Sequence, residues 1–591
     1  MPGHAAGSDG CGIDAKRGHF GARLLHWSMN ELILGIWDGH DAGAALVRDG
    51  VILAAINEER LTGRKHAGGF PARSIHACLR IAGVAPGDVS LVAASTTDAA
   101  KTLTRWAPTL RDQYYALRRR KCRPGMLARW KKMAKYEITL VPGNALTRRL
   151  SDARIRRQAA HMGLDAPVAW TGHHEAHAAS AALCSGFDAA TVVTLDGIGD
   201  ALSGSVSIWR DGTLRRLSAI AGRDSMGIFF EHVTNLLNMR ELEDEGKVMA
   251  LANYAFPVPD DENPLLDLLT VEGTDVRCVH GPVRLYRLLA DVLYRFPSEQ
   301  FAYMAQRVLE LRIPALVSNA VKAAGCPRVC LAGGVASNVK ANMLVRGLPC
   351  VEDLFVFPHM GDGGLAVGAA LAAGNERFNW KGVALADVAL GPAYGDGEIA
   401  DALNAAGLPH RRSTALAAEV AEAIHLGAII LWFQGRTEYG PRSLGNRSIL
   451  ARPDEPGIRD RLNLALKQRV WYQPFCPSIL ESDAPRFLAG YRAPNRFMTE
   501  AFRTTRDGAH ALAAAMSIDG TCRPQIVADG SGPFATLLAA VRRSTGIGAV
   551  LNTSMNIHGE PMVNSPAEAV SVFQRSGADI LAIGPFIVRK S

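Results

Sequence analysis

No apolar run in this chain reaches membrane-spanning length without meeting a charge, and the first thirty residues lack the basic-then-apolar order of a secretory signal. Neither a bilayer anchor nor an export leader is expected. Cysteine is scarce: ten in 591 residues, none in a C-x-x-C pair, which excludes a disulfide framework and zinc knuckles. Cys184, Cys330 and Cys476 lie among apolar or small residues, the setting of buried thiols in a reducing cytoplasm. Charge is modest too. At 21% charged residues, slightly below ordinary usage, a net +8 does not by itself indicate a polyanionic partner. The H-E-x-x-H signature of zinc proteases is also missing, because His174-Glu175 runs on to Ala178 where the second histidine would stand.

What is present is a large globular chain: 48% hydrophobic residues over this length is enough for two or three cores. Residues 1–30, rich in Gly, Ala and His, are expected to be a disordered leader. The densest local signal is His173-His174-Glu175-Ala176-His177, followed by Asp196-Gly197-Ile198-Gly199-Asp200. Four residues apart on a helix, His173 and His177 share a face and can aim two imidazoles at one point, and Asp196 can add a hard oxygen. The alternative is a pair of ordinary surface or core histidines.

The segment 32–60 reads as strand, Gly/Asp loop, strand, Asp49-Gly50 hairpin, strand; residues 192–218 repeat that order with a hairpin at Asp211-Gly212. This predicts an internal duplication. Two such hairpins, each opening an α/β lobe, describe an actin-like ATPase in which each lobe gives one phosphate loop. Gly333-Gly334 after a buried strand suits close approach to a ribose or base, and Asn338 should open a helix. Asp362, in a further Gly-rich strand end, is free to complete a metal site. Between the hairpins, residues 101–135 are strongly basic, with Trp106, Tyr114, Tyr115 and Trp130 interleaved. Amphipathic helices with solvated basic faces are favoured over nucleic-acid stacking, and the segment could cover an anionic or extended acceptor.

After Gly374 a linker-like stretch leads to a second unit near Leu390, with a helix over 415–425 and a buried strand over 427–433. Its motifs are EYGPRSLGNRSIL, DGTCRPQ and LNTSMNIHGEP. Guanidiniums set beside Gly, Ser, Thr and Asn are what a small phosphate ester requires; structural arginines paired to carboxylates are the alternative.

Together with GIWDGHDAGAAL, INEERLTGRKHAGGFP, HHEAHAASAA, LDGIGD, EDEGKVMALA, AGGVASN and PHMGDGGLAVGAA, these motifs resemble the NodU/CmcH family of O-carbamoyltransferases from Leu32 to the C-terminus. The resemblance implies an α/β protein: an actin-like (ASKHA), TsaD-like domain over 31–385, with a basic helical insertion at about 101–140, then a YrdC-like α/β domain over 386–591. It implies a cytoplasmic enzyme that makes carbamoyl-adenylate from ATP and carbamoyl phosphate and passes the carbamoyl group to a hydroxyl of a small-molecule natural product. The metal, of iron type with Mg²⁺ as an accompanying option, would be held by His173, His177, Asp196 and Asp362. Nucleotide would meet Gly197, Gly199, Asp200, Glu245, Gly246, Lys247, Gly333, Gly334 and Asn338. Carbamoyl phosphate would meet Lys467, Arg523, Asn552, Ser554, Asn556 and His558, with Arg442 and Arg447 lining the site and Lys467 and Arg523 counted as catalytic.

His40, in the first glycine turn, is the candidate base for the acceptor hydroxyl, or else only orients phosphate. Relatives often carry Arg before Pro-Phe-Ala-Pro and at the place of His558, whereas this chain has Gln473-Pro474-Phe475-Cys476 and a histidine. Phosphate binding then leans on Arg469 or His558. Two rivals remain: a TsaD-like tRNA threonylcarbamoyl transferase, and a non-catalytic actin-like RNA-binding protein. Neither a membrane nor nucleic acid is expected as a partner, and the oligomeric state is left open, a homodimer included.

Overall fold

The computed structural model describes residues 31–123 and 128–590, with all side chains in that range except those of 128–133 and 465. The expected disordered leader, and the side chains of Arg129, Trp130, Lys131 and Lys132, lie outside the described residues. The protein has a mixed α/β fold. Its first sheet runs, in spatial order, Val51–Asn57, Gly43–Arg48, Leu32–Trp37, Leu91–Ser95, Val168–Thr171. The second runs Thr213–Ala221, Leu202–Arg210, Ala189–Gly199, Arg328–Ala332, Asp353–Val356. In each, three antiparallel strands are extended by two parallel ones, so the predicted duplication holds in topology. The two turns match as well. Asp49-Gly50 and Asp211-Gly212 both have positive φ (50° and 81°; 53° and 73°), the conformation that makes Asp-Gly a tight hairpin turn.

Each sheet's fifth strand leads into a helix, His173–Cys184 in the first lobe and Leu365–Phe378 in the second. These two helices pack on each other and form the core between the sheets. Both are rich in small residues because the backbones approach closely: a Cβ on Gly368 of the second would lie 2.0 Å from the Ala176 carbonyl oxygen of the first, and one on Gly35 of the strand Leu32–Trp37 1.9 Å from that of Ala366. The second helix continues through the segment read as linker, ending at Phe378 with Asn379 in a left-handed cap.

The basic insertion differs from expectation. Helices Ala99–Trp106 and Pro108–Arg118, with Arg119 just after the second, turn Lys101, Arg105, Arg118 and Arg119 inward rather than onto solvated faces. Lys101 and Arg105 both pair with buried Asp38 at 2.8 Å, Arg118 pairs with Glu231 and Glu241, and Arg119 lies near Asp41 and Glu243. A buried guanidinium requires a partner, and the carboxylates that supply one are distant in sequence.

The C-terminal part is an eight-stranded sheet in the order Arg411–Arg412, Phe586–Arg589, Ile580–Ile583, Ile430–Phe433, Arg447–Ala451, Ala549–Ser554, Cys476–Leu480, Gln525–Val527. The expected helix and strand are there, at Leu416–His425 and Ile430–Phe433. Arg60 donates to Gly440 O at 2.7 Å and Arg436 to Leu53 O at 3.0 Å, tying this sheet to the first lobe. Among the described residues no helix is long and apolar enough to cross a membrane.

Candidate active site

One cleft of about 660 Å³ is lined by all three sheets' loops and by the insertion. Asp196 and Asp362 line it, and behind them the strand Val168–Thr171 ends in Gly172 and the helix that follows begins at His173; His173 and His177 do not themselves line the cleft. His173 and His177, one turn apart and buried, therefore face the same point. Asp196 comes from the end of strand Ala189–Gly199, and Asp362 from the turn before the helix Leu365–Phe378. One ligand atom from each of the four lies within 4.8 Å of the others. His173 Nε2 is 3.1 Å from Asp196 Oδ2 and 3.6 Å from Asp362 Oδ1; His177 Nε2 is 3.8 and 3.6 Å from the same atoms. Ligands held at about 2.1 Å from a shared ion are about 3.0–3.5 Å apart, so the four atoms fit one cation. Buried His177 Nε2 has no hydrogen-bond partner, which a metal bond would supply. Two imidazoles and two carboxylates suit a first-row divalent ion such as Fe(II).

The surrounding groups orient this set. His173 Nδ1 is 3.0 Å from Thr96 Oγ1, and the Gly334 N–H donates to Asp196 Oδ1 at 2.8 Å. Burial disfavours charge on His173, but Asp362, Asp196 and Asp200 outweigh it and push its pKa up to about 9. Asp196 is held well below the usual carboxylate range by both histidines despite its burial. His40 is 3.6 Å from Asp362 and stacks on Tyr115 at 4.8 Å; burial takes its pKa down to about 4.

Of the residues predicted to meet nucleotide, Gly197, Glu245, Gly246, Lys247, Gly334 and Asn338 line the cleft. Gly199, Asp200 and Gly333 stand behind it. Gly199 packs against the His173 ring, Asp200 accepts the N–H groups of Thr97, Asp98 and His173, and Gly333 lies against the backbone of Leu195. Asn338 caps the helix Val339–Arg346, accepting from Ala341 N–H, as its sequence position suggested.

At the cleft's other end Arg442, Arg469 and Arg523 converge, and among the described residues none of them has a carboxylate partner within ion-pair distance. Arg469 donates to Thr553 Oγ1 and Arg523 to Cys476 Sγ, both at 3.0 Å, while the Nε atoms of Arg442 and Arg523 are buried without partners. Burial and the neighbouring Arg523 pull Arg442 down to about 9. Three guanidiniums without counter-ions form an anion site. Asn552, Ser554, Asn556 and His558 line the same cavity. Lys467 does too, but its ammonium is taken up by Ser554 O and Oγ and by Asn556 O and Oδ1. Arg447 is not brought to the cleft. Fully buried, it donates to the carbonyls of Gln434, Gly435 and Asn446 and lies 3.6 Å over the Phe433 ring. Tyr114 and Tyr115, visible in the sequence as aromatic residues set among basic ones in a segment that could cover an acceptor, line the cleft together with Lys135 and Tyr136, which no sequence signal singled out.

The family model described as carbamoyltransferase N-terminus matches residues 32–371, and that described as carbamoyltransferase C-terminus matches 421–590. The chain is 32% identical to nodulation protein NolNO of Sinorhizobium fredii, over 93% of this chain and 79% of that one. It is 36% identical to nodulation protein NolO of Bradyrhizobium diazoefficiens, over 71% and 78% respectively. With 3'-hydroxymethylcephem-O-carbamoyltransferase of Amycolatopsis lactamdurans it shares 29% identity over 58% of this chain and 64% of that enzyme. Likeness to solved structures is loose: full-length HypF, in a phosphate- and nucleotide-bound form, overlaps 60% of this chain and 57% of its own at a TM-score of 0.35 and 14% identity.

Proposed function

The chain belongs to the carbamoyltransferase family and is a transferase, and from that premise we propose that it forms carbamoyl-adenylate from ATP and carbamoyl phosphate and hands the carbamoyl group to a hydroxyl of a small natural product. The observation that carries this reading is one cavity lined both by Asp196 and Asp362 of a four-ligand cation site and by the unpaired arginines Arg442, Arg469 and Arg523. A carbamate is a poor electrophile; joined to AMP it becomes a mixed anhydride with a good leaving group. Arg442, Arg469 and Arg523 hold the phosphate of carbamoyl phosphate, with Arg469 doing what the absent family arginines would do. Gly197, Gly334, Glu245, Gly246 and Lys247 cradle the nucleotide between the two duplicated lobes, an actin-like, TsaD-like arrangement supported by their shared strand order. The C-terminal sheet is the YrdC-like partner.

His173, His177, Asp196 and Asp362 hold a divalent cation, Fe(II) in our assignment, which when bound supplies positive charge to phosphate oxygens. His40, held neutral by burial, orients the reacting groups beside Asp362. The tRNA and RNA-binding alternatives lose support because Lys101, Arg105 and Arg118, which would have met the polyanion, are engaged by Asp38, Glu231 and Glu241.

The test is incubation with ATP, carbamoyl phosphate and ferrous iron, following AMP and pyrophosphate. His173→Ala is expected to abolish the signal. Arg523→Ala is expected to lose the carbamoyl-phosphate-dependent step yet still transfer from carbamoyl-adenylate supplied directly; equal loss in both assays would overturn this division of labour.

A further inference from the structure

Resting on that reading, the geometry points to Lys135 as the group whose Nζ takes the proton of the acceptor hydroxyl, a catalytic base supplied by the insertion. Helix Ala128–Thr139 brings Lys135 and Tyr136 to the roof of the cleft, beside Tyr114, Tyr115 and Arg118 of helix Pro108–Arg118. Lys135 Nζ lies 4.0 Å from the Tyr114 ring centroid and 5.1 Å from that of Tyr115. Tyr115 stacks on His40, and His40 is 3.6 Å from Asp362. The amine is thus separated from the cation site by one phenol and one imidazole, on a wall open to the cavity.

Its chemistry differs from that of every other cation of the insertion whose pairing is described above. Lys101, Arg105, Arg118 and Arg119 all face carboxylates, whereas among the described residues Lys135 Nζ makes no hydrogen bond and no ion pair within 4 Å. Among the described residues the charged groups that act on it most are Arg118 and Lys101, which repel a proton, and Asp98 and Glu231, which attract one; Glu231 is already engaged by Arg118. The phenols of Tyr114, Tyr115 and Tyr136 stay protonated, all pushed up by burial. Burial, with Arg118, brings Lys135 down to about 7, so a large fraction of the amine carries a free lone pair at neutral pH.

In the transfer step the acceptor oxygen forms a bond to the carbamoyl carbon and its proton passes to Lys135 Nζ. The bond from that carbon to the phosphate oxygen of AMP breaks, and AMP leaves with the electron pair. No further reactant is needed.

The test uses the full-length protein charged with preformed carbamoyl-adenylate, with molar glycerol as the hydroxyl probe, following AMP release and glycerol carbamate by mass spectrometry from about pH 6 to about pH 9. Wild type is expected to speed up about tenfold per pH unit below pH 7 and then level off. Lys135→Met and Lys135→Arg should each cut transfer by about 100-fold more than they cut pyrophosphate release from ATP and carbamoyl phosphate. Circular dichroism and melting establish that both variants are folded. Transfer by Lys135→Arg at the wild-type rate would show that charge or ring packing is what matters, and would overturn the proposal. So would a flat wild-type pH profile, or no glycerol carbamate above spontaneous decay. Absence of pyrophosphate release in wild type would instead sink the carbamoyl-adenylate chemistry, a separate failure.

Discussion

A single methyl group placed on Gly199 should remove the metal while leaving the fold. An ideal Cβ there would lie 2.3 Å from His173 Cγ, 2.4 Å from Cδ2 and 2.5 Å from Nδ1, against a ring rather than a flexible tail. Carbon atoms in contact stay about 3.5 Å apart, so in Gly199→Ala the imidazole must retreat by about 1 Å. It cannot do so while keeping its partners, because its Nδ1 lies 3.0 Å from Thr96 Oγ1 and its main-chain N–H is fixed by Asp200. Metal–ligand distances tolerate only about 0.2 Å, so Nε2 leaves the coordination sphere. Disturbing a supporting group typically lowers metal affinity 10- to 100-fold, and losing a ligand outright should reach the upper end, about 2.7 kcal/mol, beside about 1–3 kcal/mol of overpacking strain. Anaerobic Fe(II) titration by calorimetry, with a melting curve to show the fold, measures both quantities. Gly199→Ala binding iron within threefold of wild type would refute the argument. So would normal iron binding with weakened ATP, which is what a role for Gly199 in cradling phosphate demands.

Four further outcomes follow from the same geometry. His173 holds its proton up to about pH 9 in the metal-free protein, so metal must displace it; apparent affinity should rise about tenfold per pH unit, roughly 100-fold from pH 7 to pH 9, with proton release visible in buffers of different ionisation enthalpy. Because that pKa is raised from 6.5, the metal-free fold gains its full benefit below about pH 6.5 and should lose about 3 kcal/mol as pH climbs through 9, read from urea melts. Asp38→Asn strands buried Lys101 and Arg105 and should cost about 3–5 kcal/mol, with the insertion becoming sensitive to protease. Arg442→Met should suppress carbamoyl-phosphate-dependent pyrophosphate release while leaving the melting temperature near wild type, whereas Arg447→Met should lower the melting temperature, since its guanidinium serves three carbonyls and a phenyl ring.

Features whose causes are local were legible in the sequence. Asp49-Gly50 and Asp211-Gly212 give hairpins because their positive φ values are set within two residues, and His173 with His177 converge because a helical turn is four residues long. Where the cause was distant, the reading failed. Arg105 finds Asp38 67 positions away and Arg118 finds Glu241 123 away, so these two cations of a run that read as a solvated face point inward. Arg447 and Arg442 stand five apart in one motif, yet one is turned into the sheet and the other into the cavity. Composition distinguishes neither, because Arg447 opens the strand Arg447–Ala451 and is buried when that strand pairs, whereas Arg442 stays in the loop before it, on the cavity wall. Lys135 was invisible for the same reason: its meaning lies in the carboxylate it does not have.

The duplication explains why the insertion is buried at all. Asp38-Gly39 follows the first strand of the first lobe just as Asp196-Gly197 comes near the end of the first strand of the second, so each lobe buries one carboxylate at the corresponding strand end. Desolvation raises the cost of both charges, and both are nevertheless held ionised. Asp196 is compensated by the histidine pair and, in our reading, by the cation shared with Asp362. Among the described residues no histidine lies within ion-pair distance of Asp38; its counter-charge is Lys101 and Arg105, delivered by the first helix of the insertion. The insertion therefore does for the first lobe what, in our reading, a bound cation would do for the second. Once it is anchored there, its next two helices roof the cavity with Tyr114, Tyr115 and Lys135. The same buried carboxylate that needed neutralising thus fixes where the acceptor-side wall stands.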